Sequence, residues 1–263
     1  MSDNNPIGVF DSGLGGLTVV KELIRQLPRE NIVYYGDTAR VPYGTKSREA
    51  IIRFSHENTQ ILLKRNVKMV VVACNTSSSY ALVQLRKHFR LPIVGVIDPG
   101  ARKAVQVTRN KKIGIIATPA TVNSGSYAQA ISRHDRVIKV SSQACPLFVP
   151  LVEEGWLRKS VTTAVAREYL GPLRKSGIDT LVLGCTHYPL LKNVLKSVMG
   201  SRVVLVDSAT EVAVEVKRIL QEKNLLRSAS GLAKHSFLIS DRPQQFEKTA
   251  REFLGYNIRA VKI

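Results

Sequence analysis

Two cysteines carry the chemical interest of this chain. Cys74 ends an apolar run, Val71-Val72-Ala73-Cys74, and is followed by Asn75-Thr76-Ser77-Ser78-Ser79. Cys185 ends a similar run, Val182-Leu183-Gly184-Cys185, and is followed by Thr186-His187-Tyr188-Pro189. A thiol at the carboxyl end of a buried parallel strand stands where ligands bind in open α/β sheets. Polar residues just after it can cap a helix whose N–H groups and dipole favour a thiolate or a substrate carboxylate. A cysteine hydrolase needs one nucleophile and one base, which leaves the second, equivalent thiol without a purpose. Zinc is poorly served, with three cysteines and no Cys-x-x-Cys pair. Two thiols of matched chemistry suit a different task. Inverting a carbon centre requires proton removal from one face and proton return to the other, and one thiolate with one opposed thiol does both. The third cysteine, Cys145 in Gln143-Ala144-Cys145-Pro146, reads as a small buried hydrophobe.

Other polar residues fall at similar strand ends. Asp11-Ser12-Gly13-Leu14-Gly15-Gly16 follows the first apolar run. Its spacing fits only part of the dinucleotide fingerprint, because the third glycine position is Thr18, and Asp11 would repel a pyrophosphate. The glycines are therefore expected to make a tight strand-to-helix turn. Asp11 and Ser12 stand at its tip, able to meet an ammonium or a thiol. His187, two residues after Cys185, can stabilise a thiolate or donate a proton, or serve only as a satisfied strand-end histidine. Glu153-Glu154 read as helix surface, Tyr43-Gly44 as a turn, and His56, His88, His134 and His235 as surface residues.

The elements that position these groups follow from the apolar pattern. Continuous apolar runs predict buried parallel strands at Ile7–Phe10, Ile32–Tyr35, Met69–Ala73 and Ile93–Ile97, then at Ile113–Ile116, Val137–Val140, Thr180–Leu183 and Val203–Val206. Helical periods separate them, as in Leu17, Val20, Ile24 and Leu27. Three landmarks recur at offsets near 109 residues: Ile7-Gly8-Val9 with Ile113-Gly114-Ile115, the two cysteine runs, and Asp98 with Asp207. The expectation is an α/β fold of two similar pseudo-symmetric lobes, each a mostly parallel sheet flanked by helices, with the active site in the cleft between them. The first lobe spans 1–98 and the second 99–207. The tail, 208–263, with a helix near Thr210–Lys223 and strands at Ser236–Ile239 and Ile258–Val261, is expected to complete the first lobe.

The motifs Asp11–Gly16, Pro42-Tyr43-Gly44, Ala73-Cys74-Asn75-Thr76 and Gly184–Pro189, in this order and spacing, resemble those of the glutamate racemases within the aspartate/glutamate racemase family, from Ile7 to about Glu215. The resemblance implies a cofactor-independent isomerase that interconverts L- and D-glutamate and supplies D-glutamate for peptidoglycan, and so for cell-wall biogenesis and cell shape. It implies that Cys74 and Cys185 are the two bases, the first acting on D-glutamate and the second on L-glutamate. Asp11, Glu153 and His187 match supporting acid/base residues, with Glu154 an alternative to Glu153. Asp11, Ser12, Tyr43, Gly44, Asn75, Thr76, Thr118, Thr121, Thr186 and His187 match substrate-binding positions. The family is usually homodimeric. Aspartate racemases share the two-thiol plan, so aspartate or another amino acid is the alternative substrate; Thr186-His187-Tyr188-Pro189 favours glutamate.

Composition narrows the setting. The chain has 263 residues with 39 Lys+Arg against 20 Asp+Glu, a net charge of +19. The longest apolar run, Met69–Cys74, is far short of a membrane span. The N-terminal residues lack the features of a secretory signal, and three unpaired-looking cysteines suit a reducing compartment, so a cytoplasmic location is expected. The charge leaves a further class open, a basic protein with a DNA-related binding role. Residues 101–207 hold 16 basic and 6 acidic residues, but the cations come in twos and no nucleic-acid motif accompanies them.

Overall fold

In the computed structural model, which describes residues 2–263, strands and helices alternate throughout. The first four strands are β1 (Ile7–Asp11), β2 (Ile32–Gly36), β3 (Met69–Val72) and β4 (Ile93–Gly95). The next four are β5 (Lys112–Ala117), β6 (Lys139–Ala144), β7 (Thr180–Gly184) and β8 (Val204–Asp207). Two more follow, β9 (His235–Ile239) and β10 (Ala260–Lys262). They form two sheets, ordered β10-β9-β2-β1-β3-β4 and β6-β5-β7-β8, and every pairing is parallel. The order β2-β1-β3-β4 in the first sheet repeats as β6-β5-β7-β8 in the second. Cys74 and Cys185 therefore follow equivalent strands, β3 and β7.

Strands β1, β2, β3 and β7 are buried along their whole length, which is why they read as unbroken apolar runs. Helix Leu17–Gln26 buries Leu17, Val20 and Leu23, each contributing about 1.5–3 kcal/mol of apolar burial. It packs against helices Ser208–Glu222 and Pro243–Leu254. Helix Ser208–Glu222 also packs against helix Ile97–Val107, which covers β7 and β8, so two helices tie the sheets together. Residues 98 and 99 lie inside helix Ile97–Val107 rather than in a linker. The tail supplies β9, which pairs with β2 from Ile32↔His235 to Gly36↔Ile239, and β10 beyond it.

Three expected strands differ from those observed; one is the tail's Ile258–Val261, observed as β10 at Ala260–Lys262. The run Val137–Val140 predicts a strand, but β6 starts at Lys139 and continues through Ser141, Ser142 and Gln143. It is the edge of its sheet and only half-buried, so polar residues are tolerated and the apolar run misplaces it. The run Ile93–Ile97 ends as a strand at Gly95, and Ile97 opens a helix.

Candidate active site

The ends of β1, β3, β5 and β7 converge on one cavity. Ser12, Tyr43, Gly44, Cys74, Asn75 and Thr76 line it from the first sheet, and Thr118, Cys185, Thr186 and His187 from the second. Both cysteines are free and buried, so two thiols from equivalent strands share one enclosed space. Val41, Pro42, Val149 and Gly184 complete the wall; no polar signature marks them in the sequence.

Asp11, Thr121 and Glu153, also singled out by their positions in the chain, do not line this cavity but stand behind residues that do. Asp11, fully buried, accepts the Thr186 hydroxyl at 3.4 Å and the Gly13 N–H at 3.0 Å. Thr121 closes a triangle of hydroxyls with Thr76 and Thr118, with edges of 3.0 to 3.2 Å. Glu153 lies 3.0 Å from His187 Nε2, whereas Glu154 is exposed and has no such partner. Of the adjacent pair, Glu153 is thus the acid that reaches the site, and the expectation of a plain helix surface is corrected for it.

These contacts cross between the sheets reciprocally. The residue after Cys185 reaches back to the end of β1, and Thr76, two after Cys74, reaches across to Thr118 at the end of β5. Glycines permit the approach. A Cβ on Gly15 would lie 2.1 Å from Thr186 Oγ1 and 2.6 Å from His187 Nδ1. A Cβ on Gly44 would lie 2.6 Å from Thr118 Cβ. The glycine-rich loop therefore makes the expected turn, and its lack of side chains also lets Thr186 and His187 of the second sheet pack against it.

The two thiols share a position but not an environment. Cys74 sits at the N-cap of the short helix Asn75–Tyr80, 3.8 Å from the Ser12 hydroxyl. Burial, and then the Asp11 charge, push its thiol up to about 11. Cys185 is not followed at once by an α-helix, as the polar residues after it suggest, but by the 3₁₀ turn Tyr188–Leu191. Its sulfur lies 3.8 Å from His187 Nδ1. Burial alone would favour neutral His187, but hydrogen bonds and charge from Cys185 and Glu153 prevail and raise it to about 10. His187 faces the Cys185 sulfur with one nitrogen and the Glu153 carboxylate with the other. Asp11 is itself raised by burial, partly offset by His187.

Further residues hold this arrangement and leave no signature in the chain. Tyr127 donates to Asn75 Oδ1 at 2.7 Å, which turns the Asn75 amide nitrogen away; that nitrogen is buried without a partner. It is a spare donor at the cavity wall. Tyr43 donates to buried Asp37, which also accepts from Arg40 at 2.6 Å and from Ser240 of the tail at 3.1 Å. Phe253 meets His187 edge-on, with ring centroids 5.7 Å apart. Cys145 is fully buried in the core near Phe148 and Tyr188, as a small hydrophobe would be. His235 is not a surface helix residue but opens β9, half-buried, and His56 stacks on His88 and Phe89.

A parallel fold repeated in two halves, with one buried thiol per half on a shared cavity, is the arrangement of an amino-acid racemase. The chain belongs to the Asp/Glu/Hydantoin racemase family, whose model matches residues 7–216. Similar proteins within it include glutamate racemases. That of Geobacter metallireducens is 52% identical over 249 residues, covering 95% of this chain and 92% of that protein. The crystal structure of a glutamate racemase isoform from Bacillus anthracis superposes with a TM-score of 0.96 at 42% identity, covering 99% of this chain and 98% of that one. A glutamate racemase from Francisella tularensis, solved in complex with D-glutamate, superposes with a TM-score of 0.93 at 38% identity, covering 99% and 97%.

Proposed function

We propose that this chain interconverts L- and D-glutamate by removing a proton from the α-carbon with one thiolate and returning a proton to it from a second thiol. The observation that carries this reading is the placement of Cys74 and Cys185 at the ends of equivalent strands on one cavity. One cysteine, as thiolate, takes the α-proton; the other, as thiol, returns a proton to the opposite face, and the pair exchanges protonation states. Cys74 serves D-glutamate and Cys185 serves L-glutamate, the assignment that the family resemblance supports. The Asn75 amide nitrogen, Ser12 and the hydroxyls of Thr76 and Thr118, which Thr121 holds from behind, supply neutral donors for the two substrate carboxylates, while the buried Asp11 carboxylate behind Thr186 supplies negative charge on the side of the ammonium. His187, held by Glu153, supports charge and proton movement on the Cys185 side. In this reading no cofactor takes part.

The lobe division follows the same reading: residues 1–98 with the tail 208–263 carry Cys74, and residues 99–207 carry Cys185. The product supplies D-glutamate for peptidoglycan synthesis, and the chain works in the cytoplasm; no helix among the described residues is long and apolar enough to cross a membrane. A homodimer is expected from the family resemblance, and light scattering on the purified protein tests it. The central experiment follows racemisation in deuterium oxide. Deuterium enters the α-carbon from either enantiomer, and Cys74→Ala or Cys185→Ala abolishes turnover. Racemisation that survives both replacements together overturns the reading. A panel of other amino acids, with chiral analysis, separates glutamate from aspartate.

A further inference from the structure

The cleft uses the carboxyl ends of the strands. The opposite end of the second sheet carries a group of cations that the proposed chemistry leaves idle. Lys112 and Lys139 open β5 and β6 and are direct partners in the ladder. Lys111 precedes Lys112, and its carbonyl accepts the Lys139 N–H at 2.8 Å. Arg174 and Lys175 end the helix Ser160–Lys175 that descends to this edge, and Lys112 Nζ reaches the next residue's carbonyl, Ser176, at 3.4 Å. Arg109 joins them through its backbone, since Asp179, just before β7, accepts the Arg109 N–H at 2.7 Å. All six cations are exposed.

The acids of this edge do not neutralise it. Asp135 pairs with Lys111 at 2.6 Å. Asp179 is taken up by the N–H groups of Arg109 and Asn110 and by the hydroxyls of Thr108 and Thr180. Among the described residues, no carboxylate pairs with the other five cations. Arg174 and Lys175 also complement their helix dipole, and Arg109 follows the C-terminal end of helix Ile97–Val107, but Lys139 lies outside any helix. At the equivalent end of the first sheet Lys68 is fully buried against Glu30 at 2.5 Å, and Arg29, Lys64, Arg65, Arg90 and Lys234 are exposed; the second sheet's edge is set apart by the ladder pair of cations, Lys112 and Lys139.

We propose that this edge of the second sheet docks the phosphate backbone of duplex DNA, independently of base sequence. Lys112 and Lys139, on neighbouring strands, stand about 5 Å apart at the backbone, and a duplex offers one phosphate charge per roughly 1.7 Å of its axis, so cations spaced on this scale can each meet a phosphate. Lys and Arg contacts to phosphates position a duplex without reading it. No aromatic side chain belongs to the group, which disfavours single strands held by stacking. Val137, 75% exposed, and Val204, 46% exposed at the start of β8, are the exposed large apolar residues of this edge, too little for an acidic protein interface or for insertion into a bilayer. The edge is separated from the cavity by the length of β7, roughly 16 Å for five residues, so a duplex there leaves the cleft open.

The test is fluorescence anisotropy with a short labelled DNA duplex of mixed sequence, titrated from low to physiological salt. The wild-type chain is expected to bind at low salt with a steep salt dependence. The triple variant Lys112→Glu, Lys139→Glu, Arg174→Glu is expected to bind at least tenfold more weakly, with a slope of log K on log salt shallower by about 3. The control variant Lys248→Glu, Arg251→Glu, Arg259→Glu changes net charge equally on the tail, and thermal unfolding verifies that both variants fold. No binding at low salt overturns the proposal. So does an equal loss in the control, which would assign binding to diffuse net charge. Phosphatidylglycerol vesicles that displace the duplex at equal phosphate would overturn it in favour of a membrane surface.

Discussion

His187 Nε2 and the Glu153 carboxylate stand 3.0 Å apart, and Glu154, the next residue, points to solvent. The contact helps keep His187 charged. Glu153→Gln is therefore expected to lower kcat/KM with L-glutamate about tenfold, or about 1.4 kcal/mol of transition-state stabilisation. Glu154→Gln should leave it unchanged. Equal effects from the two substitutions would break the assignment.

Asp11 raises the Cys74 thiol, after burial the second cause of its shift up to about 11. With Cys74 as the base on D-glutamate, kcat/KM with that enantiomer should rise with pH as thiolate forms. Removing a negative charge beside a thiolate stabilises it, so Asp11→Asn should move the rising limb to lower pH, whatever it does to the maximum rate. A limb that stays in place, or moves up, would show that the Asp11 charge does not act on Cys74.

His187 also links pH to stability. Its folded-state value, about 10, lies above the ordinary 6.5, so its partnered cationic form stabilises the fold fully below pH 6.5. That stability is lost as pH rises from 6.5 through about 10. The unfolding temperature of the wild-type chain should fall over this window more steeply than that of His187→Asn. Parallel curves would remove His187 from the account.

Of the glycines, Gly15 is the one at which an added Cβ would come nearest to another atom, and that atom belongs to the second sheet's Thr186. A methyl group on residue 15 would stand only 2.1 Å from Thr186 Oγ1, so Gly15→Ala must push Thr186 and His187 away. A displacement near 1 Å costs on the order of a hundredfold in rate. Activity with both enantiomers should fall by about that factor while the far-ultraviolet circular dichroism stays native. Full activity in Gly15→Ala would mean that the seam adjusts at no cost.

The central strands are legible in the sequence because burial on both faces removes polar residues, and Cys74 and Cys185 are legible because they break those runs at matching places. The edge strand β6 is misplaced by its apolar run for the converse reason: half-exposed, it accepts Ser141, Ser142 and Gln143. Glu153 cannot be chosen over Glu154 by type, since only the helix phase and the position of His187, 34 residues on, separate them. Tyr127 and Phe253 leave no trace. Each acts through another residue (Asn75 and His187 respectively), and such support depends on distant packing rather than on local spacing. The glycine loop is legible as a turn, but the reason for its bareness lies across the cleft.

The pairing of β9 with β2 has a consequence for synthesis. The second sheet, β5 to β8, can form as soon as residues 112–207 have left the ribosome. The first sheet cannot be finished then, because β2 waits for residues 235–239 and shows an open hydrogen-bonding edge meanwhile. The lobe made first is completed last. A nascent chain paused before residue 235 would therefore hold one finished half and one half with an unprotected strand, and this is the stage at which chaperone capture or edge-to-edge misassembly would fall.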